Sequence, residues 1–424
     1  MSAYLGQVEQ LAADKLGAPV SIDALRIALL PSPRLNIEGL VIGKNKEISV
    51  ERVAVVPAIT SLFSDGKVLS SVQVSKPVIH KTALEILSAL SKQPSTAPAA
   101  VNVNQIIVKE ARLEWPGITL PEFNAEIALA ANKPKSALIN SLDGKLEMKL
   151  TPQNKLQKDK LQTITLSANK WTVPLGPPLL IDQLKVDMVL YDNRLEISRL
   201  NAALYKGKVS GNLILHWDNA WRMAGKIRVD DLAVREPVSL MSKSTNVSGR
   251  LFGNGSFHAS AKEPAKLADH INADFRFKVT DGVLYGLDLA RAATMLLHQG
   301  QKGGETRFDE LSGLLNVAGK QYKFNGLKVT SGLMTASGNV KISPSKNLDG
   351  VVEVEVKRSV SMAAIPLQIS GTLDNPTVFP TKAAMAGALA GTALLGPGVG
   401  TSMGVKAGSA LSKLKGLFGG SGKQ

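Results

Sequence analysis

The stretch HINADFRFKV (His270–Val279) decides the fold. Ile271, Ala273, Phe275, Phe277 and Val279 occupy every second position, and Asn272, Asp274, Arg276 and Lys278 fill the gaps. A period of two places all the apolar side chains on one face of an extended strand; a helix, with a period of 3.6, would scatter them. One face is oily and the other wet.

The same alternation recurs along the chain in both directions. It appears in GKLEMKL (Leu146, Met148, Leu150), LKVDMVL (Leu184, Val186, Met188, Leu190), NLILHW (Leu213, Leu215, Trp217), NVKI (Val340, Ile342) and VVEVEVK (Val352, Val354, Val356). Pairs that favour positive φ punctuate these runs: Asp65-Gly66, Asp143-Gly144, Asp281-Gly282, Asn325-Gly326 and Asp349-Gly350. Such pairs close hairpins, so strands and turns together predict an antiparallel meander. Helical periodicity is confined to Ala3–Leu16, Lys81–Lys92, Leu287–Gln299 and the tail after Thr381. Residues 93–100, within the Pro- and Ala-rich KQPSTAPAA, read as a linker. The expected organisation is therefore an N-terminal unit over 1–92, the linker, a β region over 101–381 and a tail over 382–424.

A chain of 424 residues, 44% of them apolar, has enough material for a sizeable core. Only 4% are aromatic, so the oily faces are aliphatic and suit acyl chains better than flat bases. The net charge of +15 calls for an anionic partner. Tyr4, Tyr191, Tyr205, Tyr285 and Tyr322 are scattered, without the clustered stacking platform of a nucleic-acid reader, so no nucleic-acid partner is expected.

No catalytic constellation is visible. The chain has no cysteine, which excludes thiolate chemistry and disulfides, and its five histidines lie far apart with no metal-ligand spacing. GPGVGTSMGVKAGS in the tail departs from a phosphate loop because Val405 separates Gly404 from Lys406. GNGSFH (Gly253–His258) lacks the third glycine of a dinucleotide fingerprint. The sequence predicts no enzyme, cofactor or metal. The N-terminus has no apolar signal region.

Four segments resemble the AsmA family: LGAPVSIDALRIALLPSPRLNIEGLVIG (Leu16–Gly43), DGVLYGLDLARA (Asp281–Ala292), ETRFDELSG (Glu305–Gly313) and SGTLDNPTVFPT (Ser370–Thr381), in the family's order. That family is similar to bridge-like lipid-transfer proteins. The resemblance implies that the antiparallel strands form one long, curved open sheet whose concave face is a hydrophobic groove; with the few short helices and the Gly-rich helical C-terminal tail read from the sequence pattern, the expected chain is mainly β. It also implies a periplasmic protein held in the inner membrane by an N-terminal helix and active in phospholipid transport and outer-membrane biogenesis. That helix should precede Leu5, and this sequence begins at MSAYLG, where the helix would be ending; removal of the anchor is the expectation, and a member naturally without one is the alternative.

From pattern alone, a sandwich in which a second sheet fills the apolar face is favoured over an open groove; the resemblance reverses that order. The lining expected for a groove is Val186, Met188, Leu190, Leu213, Leu215, Phe275, Phe277, Val352 and Val354, with phospholipids as ligand. The alternative function is a scaffold for outer-membrane proteins, pairing with other envelope proteins through its sheet edges.

The tail from Ala383 is uncharged up to Lys406 and interrupted by Pro397. Up to Leu395 it would extend about 20 Å as a helix, short of a hydrocarbon core of about 30 Å. Beyond it, Lys406, Leu411, Lys413, Leu414, Lys415, Leu417 and Phe418 form a basic amphipathic pattern suited to an anionic membrane surface. The expectation is an interfacial helical hairpin; the alternative is a tail packed on the end of the sheet.

Overall fold

Strands separated by short turns run through almost the whole chain. The computed structural model describes residues 2–30, 32–59, 67–83, 86, 101–116, 118–151, 160–174, 178–239, 246–294, 303–357 and 364–395. The chain forms two compact units, Met1–Arg199 and Leu200–Gln424.

The first unit opens with a helix, Ser2–Leu16. It ends at Gly17, whose φ of +65° allows its N–H to donate to the Ala13 carbonyl at 2.8 Å. Thirteen strands follow before the unit boundary: β1 (Val20–Ser21), β2 (Ala24–Ala28), β3 (Arg34–Ile42), β4 (Ile48–Pro57), β5 (Lys67–His80), β6 (Val101–Val103), β7 (Gln105–Trp115), β8 (Ile118–Thr119), β9 (Phe123–Ala130), β10 (Lys133–Ser141), β11 (Leu146–Thr151), β12 (Lys160–Thr172) and β13 (Leu180–Tyr191). The boundary falls inside β14 (Arg194–Leu204). Pairing runs β2–β3–β4–β5–β7–β9–β10–β11–β12–β13, with β1 beside β3.

One pairing departs from the expected antiparallel pattern: β5 pairs with β7 and the short β6 in parallel. A parallel neighbour needs a long return connection, and the segment between His80 and Val101 is long enough to supply one. The sheet therefore passes directly from β5 to β7, and residues 93–100 lie outside the described residues.

The second unit contains β15 (Gly207–Trp217), β16 (Trp221–Ala233), β17 (Asn246–Ala261), β18 (Asn272–Tyr285), β19 (Glu305–Ala318), β20 (Gln321–Thr330), β21 (Met334–Ile342), β22 (Leu348–Val356), β23 (Ile365–Thr372) and β24 (Asn375–Pro380). Each pairs antiparallel with the next. Among the described residues β24 does not pair back to β15, so the sheet stays open.

The turn expectations need correction. Asp143-Gly144 does close the β10–β11 hairpin, with Gly144 at φ +69°. Asp281-Gly282 and Asn325-Gly326 instead lie inside β18 and β20 as bulges, where Asp281 and Gly326 take φ of +52° and +57°. Asp349-Gly350 pairs regularly inside β22, and Asp65-Gly66 lies outside the described residues. The β9–β10 hairpin turns on Ala131-Asn132, both with positive φ. A positive-φ residue serves a bulge as well as a turn, so the dipeptide alone does not separate the two.

The densest packing lies late in the second unit, where Met334, Val354, Leu367 and Val378 are fully buried. A helix, Leu289–Thr294, covers them from above and buries Leu289, Ala292 and Ala293. Its start is fixed by Thr306, whose buried hydroxyl accepts from the Leu289 N–H at 3.0 Å and donates to the Leu287 carbonyl at 2.8 Å. Of the expected helix, residues 295–299 lie outside the described residues, as does most of 81–92. The tail helix, Lys382–Leu395, starts at Thr381, whose Oγ1 accepts from the Ala384 N–H at 3.3 Å. It packs the buried Ala384 and Ala388 against Ile365. Its described beginning thus lies on the sheet, and Lys406, Leu411, Lys413, Leu414, Lys415, Leu417 and Phe418 lie outside the described residues.

Candidate functional site

Paired residues in a ladder share a face, so the register identifies what each face of the first unit presents. One row runs Leu25, Ile37, Val53, Val74, Val108, Ala125, Ile139, Met148, Leu166, Val186, each paired with the next. A second runs Ile27, Leu35, Val55, Val72, Ile106, Ile127, Ala137, Leu150, Ile164, Met188. Every position in both rows is apolar and none is aromatic. The row between them, on the opposite face, is mostly polar: Arg26, Asn36, Gln73, Glu126, Lys149, Thr165 and Asp187, with Ala54, Ile107 and Leu138 among them. With about 4.8 Å between neighbouring strands, ten strands make a continuous aliphatic track about 43 Å long.

The two rows are only partly covered. Val53, Ala125 and Val186 are buried, most of the others are half-buried, and Ile27 and Leu35 are exposed. The bulge at Glu110, whose φ is +54°, keeps the face continuous: it restores Ala111 to the side of Val108 although the two are three positions apart.

The apolar face of the second unit is built differently. Phe257, Phe275, Leu315, Phe324 and Val340 are half-buried across its middle. Glycines on neighbouring strands let the rings lie flat: a Cβ at Gly253 would stand 2.6 Å from Phe275 Cζ, and one at Gly225 would stand 2.7 Å from Phe257 Cζ. Short elements cover the margins. The turn of 3-10 helix Pro264–His270 inserts Leu267 beside Leu215, Met223 and Ala259, while the helix Leu289–Thr294 covers the C-terminal strands.

The expected lining residues divide accordingly. Val186 and Met188 are the terminal members of the two rows in the first unit, and Leu190 lies next on the same face, opposite Gln162. Leu213, Leu215 and Phe275 are half-buried on the apolar face of the second unit. Phe277, Val352 and Val354 belong to the closed core, Val354 with no exposed surface. The pattern within each strand did not single out Val53, Val74, Val108, Ile139, Met148 or Leu166 as lining, because only the register aligns them.

The polar faces are laced with exposed ion pairs. Arg250 holds the Asp231 carboxyl below its ordinary range by a hydrogen bond across the β16 bulge, and Lys76 does the same for Glu51. His80 Nδ1 stands 3.1 Å from Glu114 Oε2, while His216 and His258 pair with Arg222 and Ala224 on the polar face. Among the described residues no group of three or more His, Asp or Glu side chains is placed to hold a metal, and no helix is long and apolar enough to cross a membrane.

Fold and faces together define a class: an open, strand-rich protein with an extended aliphatic surface. Residues 110–321 match the family model of the AsmA family, and the chain belongs to that family. A comparison with curated proteins gives no match. The family is associated with the cell envelope and is generally non-enzymatic, and a large open β-sheet fits an envelope lipid-transport or biogenesis role at the level of the family.

Proposed function

We propose that this protein is a non-enzymatic carrier of phospholipids in the bacterial envelope, holding acyl chains against the aliphatic track of its first unit. The observation that carries this reading is the pair of uninterrupted apolar rows across ten paired strands. Typical monomers keep contiguous exposed apolar patches to about 300–600 Å². A half-covered aliphatic face crossing ten strands needs an occupant, and a flexible hydrocarbon chain fits two rows that carry no polar side chain.

Headgroups would remain in water beside the charged faces, and no bond would be made or broken. Val186, Met188 and Leu190 extend the lining at one end, and Leu213, Leu215 and Phe275 are the half-covered candidates in the second unit. The buried Phe277, Val352 and Val354 support the fold beneath the covering helix. The working location is the periplasm, at the inner membrane.

Native mass spectrometry and lipid extraction of detergent-free protein test the proposal. Phospholipid should co-purify, and Phe275→Glu should reduce the amount bound in the second unit. Protein that is folded and lipid-free from an envelope preparation would contradict it.

A further inference from the structure

Among the described residues, the three most exposed large apolar side chains, Leu30, Ile27 and Leu29, lie together at one end of the first unit, while Leu11 of the N-terminal helix, also exposed, does not. Leu29 and Leu30, in the connection from β2 to β3, are 70% and 82% exposed, and Ile27 at the end of β2 is 79% exposed. Ile59, just after β4, is 64% exposed. It lies at the same sheet end, because Leu35 at the start of β3 pairs with Val55 near the end of β4.

Among the described residues of this end arginines predominate, and the carboxylate there, Glu38, is paired with Arg26 at 3.3 Å. Arg26 and Arg34 flank the β2–β3 connection, and neither Ile27–Ile37 nor Val53–Ile59 contains an acidic residue. Exposed leucines between cations match the boundary of a bilayer, where aliphatic side chains enter the acyl region and guanidinium groups meet phosphate. The row that begins with Ile27, Leu35 and Val55 is the one nearer to this end, so the apolar face of the sheet opens beside the leucines.

We infer that this end of the first unit docks onto an anionic lipid bilayer, with Leu29, Leu30 and Ile59 entering the interface and Arg26 and Arg34 contacting phosphates. This docking goes beyond the carrier reading and does not depend on it: a protein that bound vesicles through this end yet carried no lipid would satisfy one and refute the other.

The absence of cysteine makes the test direct, since a single introduced thiol accepts a label without competition. An environment-sensitive fluorophore is placed on Leu30→Cys, with Asn219→Cys in the second unit as control, in the full chain. Vesicles of phosphatidylethanolamine and phosphatidylglycerol are added. The probe at 30 should shift to the blue and be quenched by lipids spin-labelled near the headgroup, and the probe at 219 should do neither. The double variant Leu29→Ser, Leu30→Ser changes exposed positions only, so its circular dichroism should match the parent while vesicle partitioning falls at least tenfold.

Three outcomes would overturn the inference. The chain fails to bind these vesicles; it binds with the probe at 30 still in water; or the double variant binds as the parent does. If instead the probe is buried without vesicles and sedimentation shows a dimer that the serine variant dissociates, this end is a contact between copies and the membrane assignment falls.

Discussion

Val354 and Met188 carry the same expectation from sequence and very different surroundings in the fold. Val354 has no exposed surface and lies under the helix Leu289–Thr294, whereas Met188 ends an apolar row and is half-buried. Val354→Ala removes two methyl-sized groups at about 0.8 kcal/mol each. The cavity left behind adds about 24 cal/mol per Å³ that does not collapse, so we expect a loss of about 2–3 kcal/mol. Because the two units need not unfold together, the readout is hydrogen exchange of the β22 and β23 amides rather than a single melting curve. Lipid loading should be unchanged. Met188→Glu should show the reverse: its side chain reaches water, so stability moves by about 0.5 kcal/mol or less, while lipid bound per protein falls. The reasoning is refuted if Val354→Ala lowers loading at unchanged exchange rates, or if Met188→Glu loads as the parent does.

Further outcomes follow from single positions. Gly253→Ala places a Cβ against Phe275 Cζ and within 2.7 Å of the Arg276 carbonyl. Overpacking of this kind should cost about 1–3 kcal/mol, read by urea denaturation, with local exchange in β17 and β18 raised. Thr306→Val leaves the Leu289 N–H and the Leu287 carbonyl unpaired in a buried site, which should cost about 1–3 kcal/mol and speed exchange in the helix it anchors. Asp231 is held below its ordinary range by Arg250. A depressed carboxyl stabilises the fold above its unfolded pKa and loses that contribution as pH falls through the folded value, so Asp231→Asn should flatten the acid end of the stability profile, measured by denaturation between neutral and acidic pH.

The strand content was legible in the sequence because alternation such as Ile271, Ala273, Phe275, Phe277, Val279 is a local property that the ladder preserves. The bulges were not, since Asp281 and Asn325-Gly326 carry the same positive-φ chemistry that elsewhere closes a hairpin. The parallel β5–β7 pair was hidden for a different reason: it depends on a return connection with no periodicity of its own. The apolar rows were half legible. Strand pattern gives the face of each residue but not which residues align across strands, and alignment distinguishes the continuous rows through Val53, Val74, Val108 and Met148 from scattered apolar positions. Nor does it say which part of a face a short helix will cover, so Val354 and Met188 looked alike.

Photo-crosslinking at adjacent positions of β11 tests the lipid track most directly. Met148 lies in an apolar row and Lys149 in the mostly polar row on the opposite face. With a photoreactive amino acid at each position in turn, we expect phospholipid adducts at 148 and essentially none at 149. Equal labelling at both positions, or none at 148 in a folded protein, would contradict the proposal that this face holds acyl chains.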